Sequence, residues 1–436
     1  MRKFTTMEKL SLLVQFLTRY PNAMRLSRLD QEQMKVHQFS KIKRLLDIAY
    51  YHTDFYKRKY NAVGMHPNDI KTWEDFKYVP TITKDELTTC SREFVDKRVK
   101  NNHLIISRSS GSTGKFVNVQ LDAQYFITQS VQVIRMLKEL NPGYSPLDKE
   151  LLVYTSPYPF SSIGGFYRTV YLNNLLSERE ILSKMLQVRP AIISIYPSIL
   201  RTIVDLYKID YRGLGIETII TNSEHSTQSE RDYFAKLFGC SVFDEFSSEE
   251  LGAIAYQCVE KQYHLVQDCS YIELLSTNTN REVSPGQQGE IVGTCLINTV
   301  APIIRYRQSD LAILAPKTCG CGKTTPALQT IAGRKNSSFK RPDGIEIPSG
   351  RILDWTYSLV LELELSIREF QIIQRALTLV EVKLVVNGDY ESEFDNSKLI
   401  YKFKQTFGEE FEVIVNIVPS IPKTEAGKYI PIQSLI

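Results

Sequence analysis

The sequence predicts an α/β protein. It has a large N-terminal domain on mostly parallel sheet, with a β-rich subdomain, then a small α+β C-terminal domain. Three observations predict it. Between about 104 and 250, short β-branched runs ending in small polar residues (HLIISRS, ELLVYTSP, AIISIYPS, IETIITNS, CSVFDEFSS) alternate with helical patterns such as TQSERDYFAKLFG. That alternation is the mark of a parallel sheet, whose ligands gather at the carboxyl ends of the strands. From about 255 to 332 the β runs crowd together (YIELLS, GEIVGTCL, IIRYRQSDLAIL). After the charged, Ser/Asn-rich stretch IAGRKNSSFKRPDG, the last hundred or so residues have a pattern of their own. We place the domain boundary between 333 and 334.

Taken in order, residues 1–100 read as mainly helical. In MRKFTTMEKLSLLVQFL, Glu8 and Lys9 interrupt the apolar run and no small-residue cleavage site follows. Leu10–Leu17 is therefore expected as an amphipathic helix packed on the body, not a signal peptide. LLDIAYYHTDFYKRKY carries aromatic and apolar residues at helical spacing, and Asn68 or Asp69, then Thr72, are expected to cap short helices. In the last domain, RILDWTYSLVLEL and NSKLIYKFKQTF read as helices, and FQIIQRA, LVEVKLVV and FEVIVNIV as strands.

Bulk properties narrow the class. The 436 residues exceed one hydrophobic core. With 43% apolar and 23% charged residues the chain is an ordinary globular protein, and a net charge of +4 gives no reason to expect nucleic acid. No uninterrupted apolar run is long enough for an integral membrane segment. Seven cysteines, an odd number, without a leader point to the reducing cytoplasm.

SRSSGSTGKF, residues 107–116, packs hydroxyls and glycines before a lysine. It lacks the glycine and the Ser/Thr that a Walker loop needs on either side of its Gly-Lys, which argues against that class of nucleotide site. The chemistry still suits phosphate. Gly111 and Gly114 permit close backbone approach, Ser109, Ser110, Ser112 and Thr113 supply donors, and Lys115 supplies charge.

The loop resembles the SSGTTGKP segment of adenylate-forming enzymes. Further resemblances follow in the family's order: FSSEELGAIAYQC (246–258) to YGSTE, YRQSD (306–310) to YRTGD, AGRKN (332–336) to the GRxDD hinge, and PKTEAGK (422–428) to P-K-T-x-x-G-K. The run LLDIAYYHTDFYKRKYNAVGMHPNDIKTWEDFKYVPTITKDEL is similar to the N-terminal region of the phenylacetate–CoA ligase branch, which includes ligases of capsular polysaccharide clusters. The resemblance implies an AMP-forming acid–thiol ligase. ATP and a small-molecule carboxylate give an acyl-adenylate and pyrophosphate, and CoA then displaces AMP. It implies that the Ser109–Lys115 loop holds phosphates, with Thr113 as its main side-chain contact. Glu250 positions Mg²⁺, chosen over Glu249 by the family's E-x-G spacing. Phe246 lies against adenine or substrate, and Ser223-Glu224 forms the turn beside adenine. Asp310 holds the ribose hydroxyls, Arg334 approaches ribose and phosphate from the junction, and Lys428 reaches the α-phosphate from a mobile C-terminal lid. His225 is read as a loop histidine. The acid pocket is expected between 154–167 and 243–252.

The alternative keeps adenylation but passes the acyl group to an amine or hydroxyl. A third reading is a binding protein whose catalysis has decayed, suggested by Phe246, Ser247, Gln308, Ser309 and Asn336 at positions where the family differs. Lys115, Glu250, Asp310 and Lys428, all retained, speak against it.

Cys258, His264, Cys319 and Cys321 form a further constellation, C-x5-H and then C-x-C. Thiolates and a neutral imidazole suit a structural Zn²⁺; the alternative is reduced cysteines beside a hydrogen-bonded histidine. Cys90, Cys240, Cys269 and Cys295 read as small buried apolar residues.

Overall fold

The computed structural model describes residues 6–109, 117–155, 157, 161–277, 279–334, 338–362, 367–386, 396–424 and 428–436. The chain opens with five helices: α1 (Thr6–Leu26), α2 (Gln31–His52), α3 (Asp54–Ala62), α4 (Trp73–Phe76) and α5 (Lys84–Thr89). α1 runs well beyond the expected Leu10–Leu17 and includes Pro21. Its Phe16 and Ala23 pack with Val131 and Ile134, so the helix lies on the body. Thr72 caps α4 in a reciprocal box with Asp75, as its spacing suggested. The preceding turn differs: it is a single 3₁₀ turn, Pro67–Asp69, capped by the His66 imidazole.

A hairpin follows, β1 (Ile105–Ser109) and β2 (Val117–Leu121), whose antiparallel register ends at the pair Ser109–Val117. Next come α6 (Ala123–Leu140), β3 (Lys149–Tyr154), β4 (Arg168–Asn173), α7 (Glu178–Val188), β5 (Ile192–Ile195), α8 (Pro197–Leu206), β6 (Thr218–Thr221), α9 (Gln228–Phe238) and β7 (Ser241–Ser248). The β-rich part supplies β8 (Gly252–Gln257), β9 (Tyr263–Leu265), β10 (Ser270–Leu275), β11 (Gln288–Cys295), β12 (Tyr306–Leu314) and β13 (Ala327–Arg334).

β3 to β13 join in an 11-stranded sheet of order β10-β11-β12-β13-β9-β8-β7-β6-β5-β3-β4. From β4 to β7 it is parallel; beyond β7 every pairing is antiparallel. β7 is thus the seam, parallel to β6 and antiparallel to β8. One face of the parallel half buries Leu151, Val153, Ile193, Ile195, Ile219 and Val242 against α7, α8 and α9. Cys269 and Cys295 are buried, whereas Cys90 and Cys240 are only half-buried. Their expected full burial therefore holds for two of the four.

The remaining chain gives β14 (Phe339–Lys340), β15 (Glu346–Ile347), α10 (Ser349–Glu362), β16 (Ile367–Ala376), β17 (Leu379–Val386), α11 (Ser397–Phe407), β18 (Glu412–Ile417) and β19 (Ile432–Ser434). A four-stranded sheet of order β18-β17-β16-β19 forms here. Its core runs from Phe339 to Ile432 and includes Phe370, Val382, Phe403 and Phe411.

Candidate functional site

The seam strand carries much of the site. At its end, Ser248 Oγ accepts from the Leu251 backbone N–H at 3.2 Å, closing the turn that presents Glu249 and buries Glu250. Gly252 follows at φ +72, where a Cβ would come within 2.9 Å of the Tyr125 hydroxyl, so the turn needs glycine. Glu249 is the acid that faces the hairpin. It accepts from Ser107 Oγ at 2.5 Å and from the Tyr154 hydroxyl at 3.2 Å. Tyr154 in turn packs edge-on against Tyr196, whose hydroxyl lies 2.8 Å from Thr155 Oγ1. Phe246 pairs with Ala255 across β7 and β8.

The YRQSD segment lies beside this turn. Ser248 Oγ donates to Gln308 Oε1 at 3.3 Å, and Gln308 Nε2 donates to Asp310 Oδ2 at 2.6 Å. Gln308, a departure from the family pattern, thus links the two motifs. Asp310 is buried, and its backbone stands opposite Arg334 in the register of β12 and β13. Ser309 has φ +67 and Ser223 has φ +65. Ser309 stands where the resembling family carries glycine, and Ser223 where it carries Gly or Ala. Both serines adopt the left-handed backbone that glycine tolerates best.

The C-terminal segment reaches the same place. The Thr424 N–H donates to the Lys428 carbonyl at 2.9 Å, and the Lys428 N–H donates to Thr424 Oγ1 at 3.0 Å. This turn holds Tyr429, whose backbone N–H donates to Glu224 Oε1 at 2.8 Å. Glu224 Oε2 accepts from the Ser198 N–H at 3.1 Å. The Arg201 guanidinium lies 5.9 Å from the Tyr429 ring centroid, and Lys423 pairs with Glu178 at 3.7 Å. Lys428 therefore stands one residue from a direct bond to the Ser223-Glu224 turn. Burial, aided by Arg231, lowers His225 to about 4, which leaves it neutral.

The second constellation also assembles. The ligand atoms of Cys258, His264, Cys319 and Cys321 all lie within 4.8 Å of one another. Cys258 and Cys319 sulfurs are 3.6 Å apart, and Cys321 Sγ is 3.1 Å from His264 Nε2. His264 Nδ1 meets the Thr325 carbonyl at 3.0 Å, which fixes the ring with Nε2 toward the sulfurs.

Ser110, Gly111, Ser112, Thr113, Gly114, Lys115 and Asn336 lie outside the described residues, as do the side chains of Ser109 and Arg334. Motif reading missed the Tyr429 backbone contact, which carries no side-chain signal. It also missed Glu150 and Glu245, on strands that read only as β-branched runs.

Known proteins can now be set beside this geometry. Residues 342–434 match the CapK C-terminal domain. The chain is 25% identical to the phenylacetate-coenzyme A ligase of Escherichia coli (strain K12) over 320 residues, 70% of this chain and 72% of that one. It is 22% identical to that of Thermus thermophilus over 444 residues, 92% of this chain and 97% of the relative. Among solved structures, a 2-hydroxyisobutyryl-CoA ligase in its postadenylation state superposes with TM-score 0.75 at 19% identity, covering 93% of this chain and 90% of that one. The same ligase in its thioesterification state gives 0.63 at 20% identity, covering 94% and 91%. Sequence and fold together make the chain a homologue of the phenylacetate–CoA ligases, with a CapK C-terminal domain and the fold of adenylate-forming CoA ligases.

Proposed function

We propose that the chain activates a carboxylic acid with ATP and passes the acyl group to CoA. The observation that carries this reading is the Tyr429–Glu224 bond, which brings the PKTEAGK turn onto the turn assigned to adenine. A carboxylate oxygen attacks the α-phosphorus of ATP, the bond to the bridging oxygen breaks, and pyrophosphate leaves. The thiol sulfur of CoA then attacks the acyl carbon, its proton is lost, and AMP leaves with the acyl–oxygen electron pair.

In this scheme Ser109, Ser110, Gly111, Ser112, Thr113, Gly114 and Lys115 hold the phosphates, and Thr113 makes the main side-chain contact. Asp310 accepts from the ribose hydroxyls, Ser223, Glu224 and Phe246 line the adenine side, and Arg334 approaches from the junction. Glu250 positions Mg²⁺, an ion that needs few protein carboxylates when phosphates supply the rest. Lys428 meets the charge that develops at the α-phosphate. Residues 1–333 form the adenylating body and 334–436 the lid, which must reorient between the two steps.

The cysteine–histidine cluster fits zinc by its donors and their spacing. Cys258, His264, Cys319 and Cys321 would hold one structural ion. Protein purified under reducing conditions should carry about one zinc per chain, and Cys319→Ser should lower both zinc content and Tm. Folded, zinc-free wild-type protein would refute the site.

The function is tested by measuring pyrophosphate release and CoA consumption with a panel of carboxylic acids. Acid-dependent pyrophosphate release, followed by one thioester per pyrophosphate, is expected. Release without thioester, with discharge by an added amine, would overturn the assignment of the acceptor.

A further inference from the structure

The loop assigned to phosphate leaves a hairpin that is not part of the large sheet. β1 and β2 form a two-stranded sheet of their own, and such a pair is marginal without further support. β2 has that support. Val117, Val119 and Leu121 are buried in the main core, and Asn298 Nδ2 donates to the Gln120 carbonyl at 3.1 Å. On β1, Ile105 is buried but Ile106 is 60% exposed. Ser107, two residues before the ladder ends at Ser109, adds a polar tie to the large sheet. Its hydroxyl donates to Glu249 Oε2 at 2.5 Å, across 142 positions of sequence.

Glu249 is held from both sides. Its other oxygen, Oε1, accepts from the Tyr154 hydroxyl at 3.2 Å, at the end of β3. The Tyr154 ring packs edge-on against Tyr196, with centroids 5.9 Å apart. The turn that carries Glu249 also bears Ser248, which leads through Gln308 to Asp310. One turn therefore joins the strand assigned to ribose and the hairpin assigned to phosphate. A carboxylate suits this place because it accepts at both oxygens with charge-assisted strength. Held by two hydroxyls, the side chain is already ordered before a nucleotide arrives.

We propose that Glu249 is a positioning residue. It holds β1 through Ser107, and so sets the loop that follows Ser109 in place for the phosphates that ATP has and AMP lacks. It acts on ATP through the hairpin and not as a ligand of the metal ion, which separates it from the neighbouring Glu250. This rests on the assignment of the Ser109–Lys115 loop to phosphate in the activation reading above.

The test measures affinities of the full chain for ATP and for AMP by calorimetry, with magnesium present and no carboxylic acid. Ser107→Ala and Glu249→Gln should each weaken ATP by about tenfold, as for one charge-assisted hydrogen bond, and leave AMP within about twofold. The double variant should bind ATP no worse than Glu249→Gln alone, because both changes break the same tie. Tm, measured alongside, shows that each variant is folded. Equal losses for ATP and AMP would overturn the proposal, because a general structural role weakens both. Unchanged ATP affinity in both variants would overturn it too. So would a loss confined to Glu249→Gln with Ser107→Ala unaffected, which would make Glu249 a ligand of the ion. Failure of the activation reading looks different: wild type would release no pyrophosphate with any acid, while the ATP–AMP contrast between the variants would persist. Wild type that binds no ATP would overturn both together.

Discussion

The two faces of the parallel half-sheet are made by the same strands and differ in kind. One face presents Leu151, Val153, Ile193, Ile195 and Ile219 to three helices. The other presents Glu150, Ser194, Thr169, Glu245 and Ser247, interspersed with apolar residues such as Ile220 and Phe243. Side chains alternate along a strand, so each strand gives one set of positions to an all-apolar core and the other to a buried layer that mixes polar and apolar groups under α6. The difference teaches that a fully buried strand can read as continuous β-branched texture while only every second position carries polar groups.

The largest effect is expected at Lys428, one residue from the Tyr429–Glu224 bond at the strand ends. Lys428→Ala should lower adenylate formation by about 10²–10³-fold with little change in Tm. Wild-type pyrophosphate release in that variant would remove the lid turn from the reaction.

A smaller effect belongs to Glu245. Burial, then Glu150, raises its carboxyl from 4.5 to about 7. Between those values the folded state keeps a proton that the unfolded state releases, so stability falls as pH rises through the window. Glu150, Asp244 and Ser247 face this group, and its titration is shared with Glu150. Glu245→Gln should therefore gain on the order of 1–3 kcal/mol relative to wild type between pH 4.5 and 7.5. Denaturant midpoints at those pH values give the comparison, and parallel curves would show that Glu245 is not held protonated.

On the aliphatic face, Ile219→Val should cost about 1 kcal/mol of stability and leave kcat/KM unchanged. A change in substrate preference from this site would erase the distinction between the faces. The smallest effect is expected at Ser309. Serine held at φ +67 is strained, and Ser309→Gly should stabilise the fold or leave it even, with a gain of at most about 1 kcal/mol. A clear loss would mean that the serine hydroxyl does more than occupy a glycine's place.

Much of this architecture was legible because it is local. Strand–helix alternation, the Thr72–Asp75 box and the Cys/His spacing each depend on neighbours in sequence. The motif residues Glu250, Asp310 and Lys428 were legible through resemblance. The remainder depends on contacts that no local pattern encodes. Ser223 and Ser309 hide a glycine-like backbone under a common side chain. Glu224 meets a backbone N–H from the far end of the chain, a contact between residues more than 200 positions apart. His66 capped a turn assigned to Asn68 or Asp69 because a histidine ring nitrogen can also accept.

The bond from the Tyr429 N–H to Glu224 has one further consequence. It joins the small domain to the large one through a main-chain donor, which any residue but proline provides. It acts beside the Lys423–Glu178 ion pair and the Arg201–Tyr429 ring contact, but is the one of the three whose donor is main chain. A charge-assisted bond of roughly 1.5–3 kcal/mol biases the latched over the released form by a factor of about 10 to 100. A bias of that size holds the turn in place without fixing it permanently, and it survives substitution at position 429 by any residue that keeps its N–H.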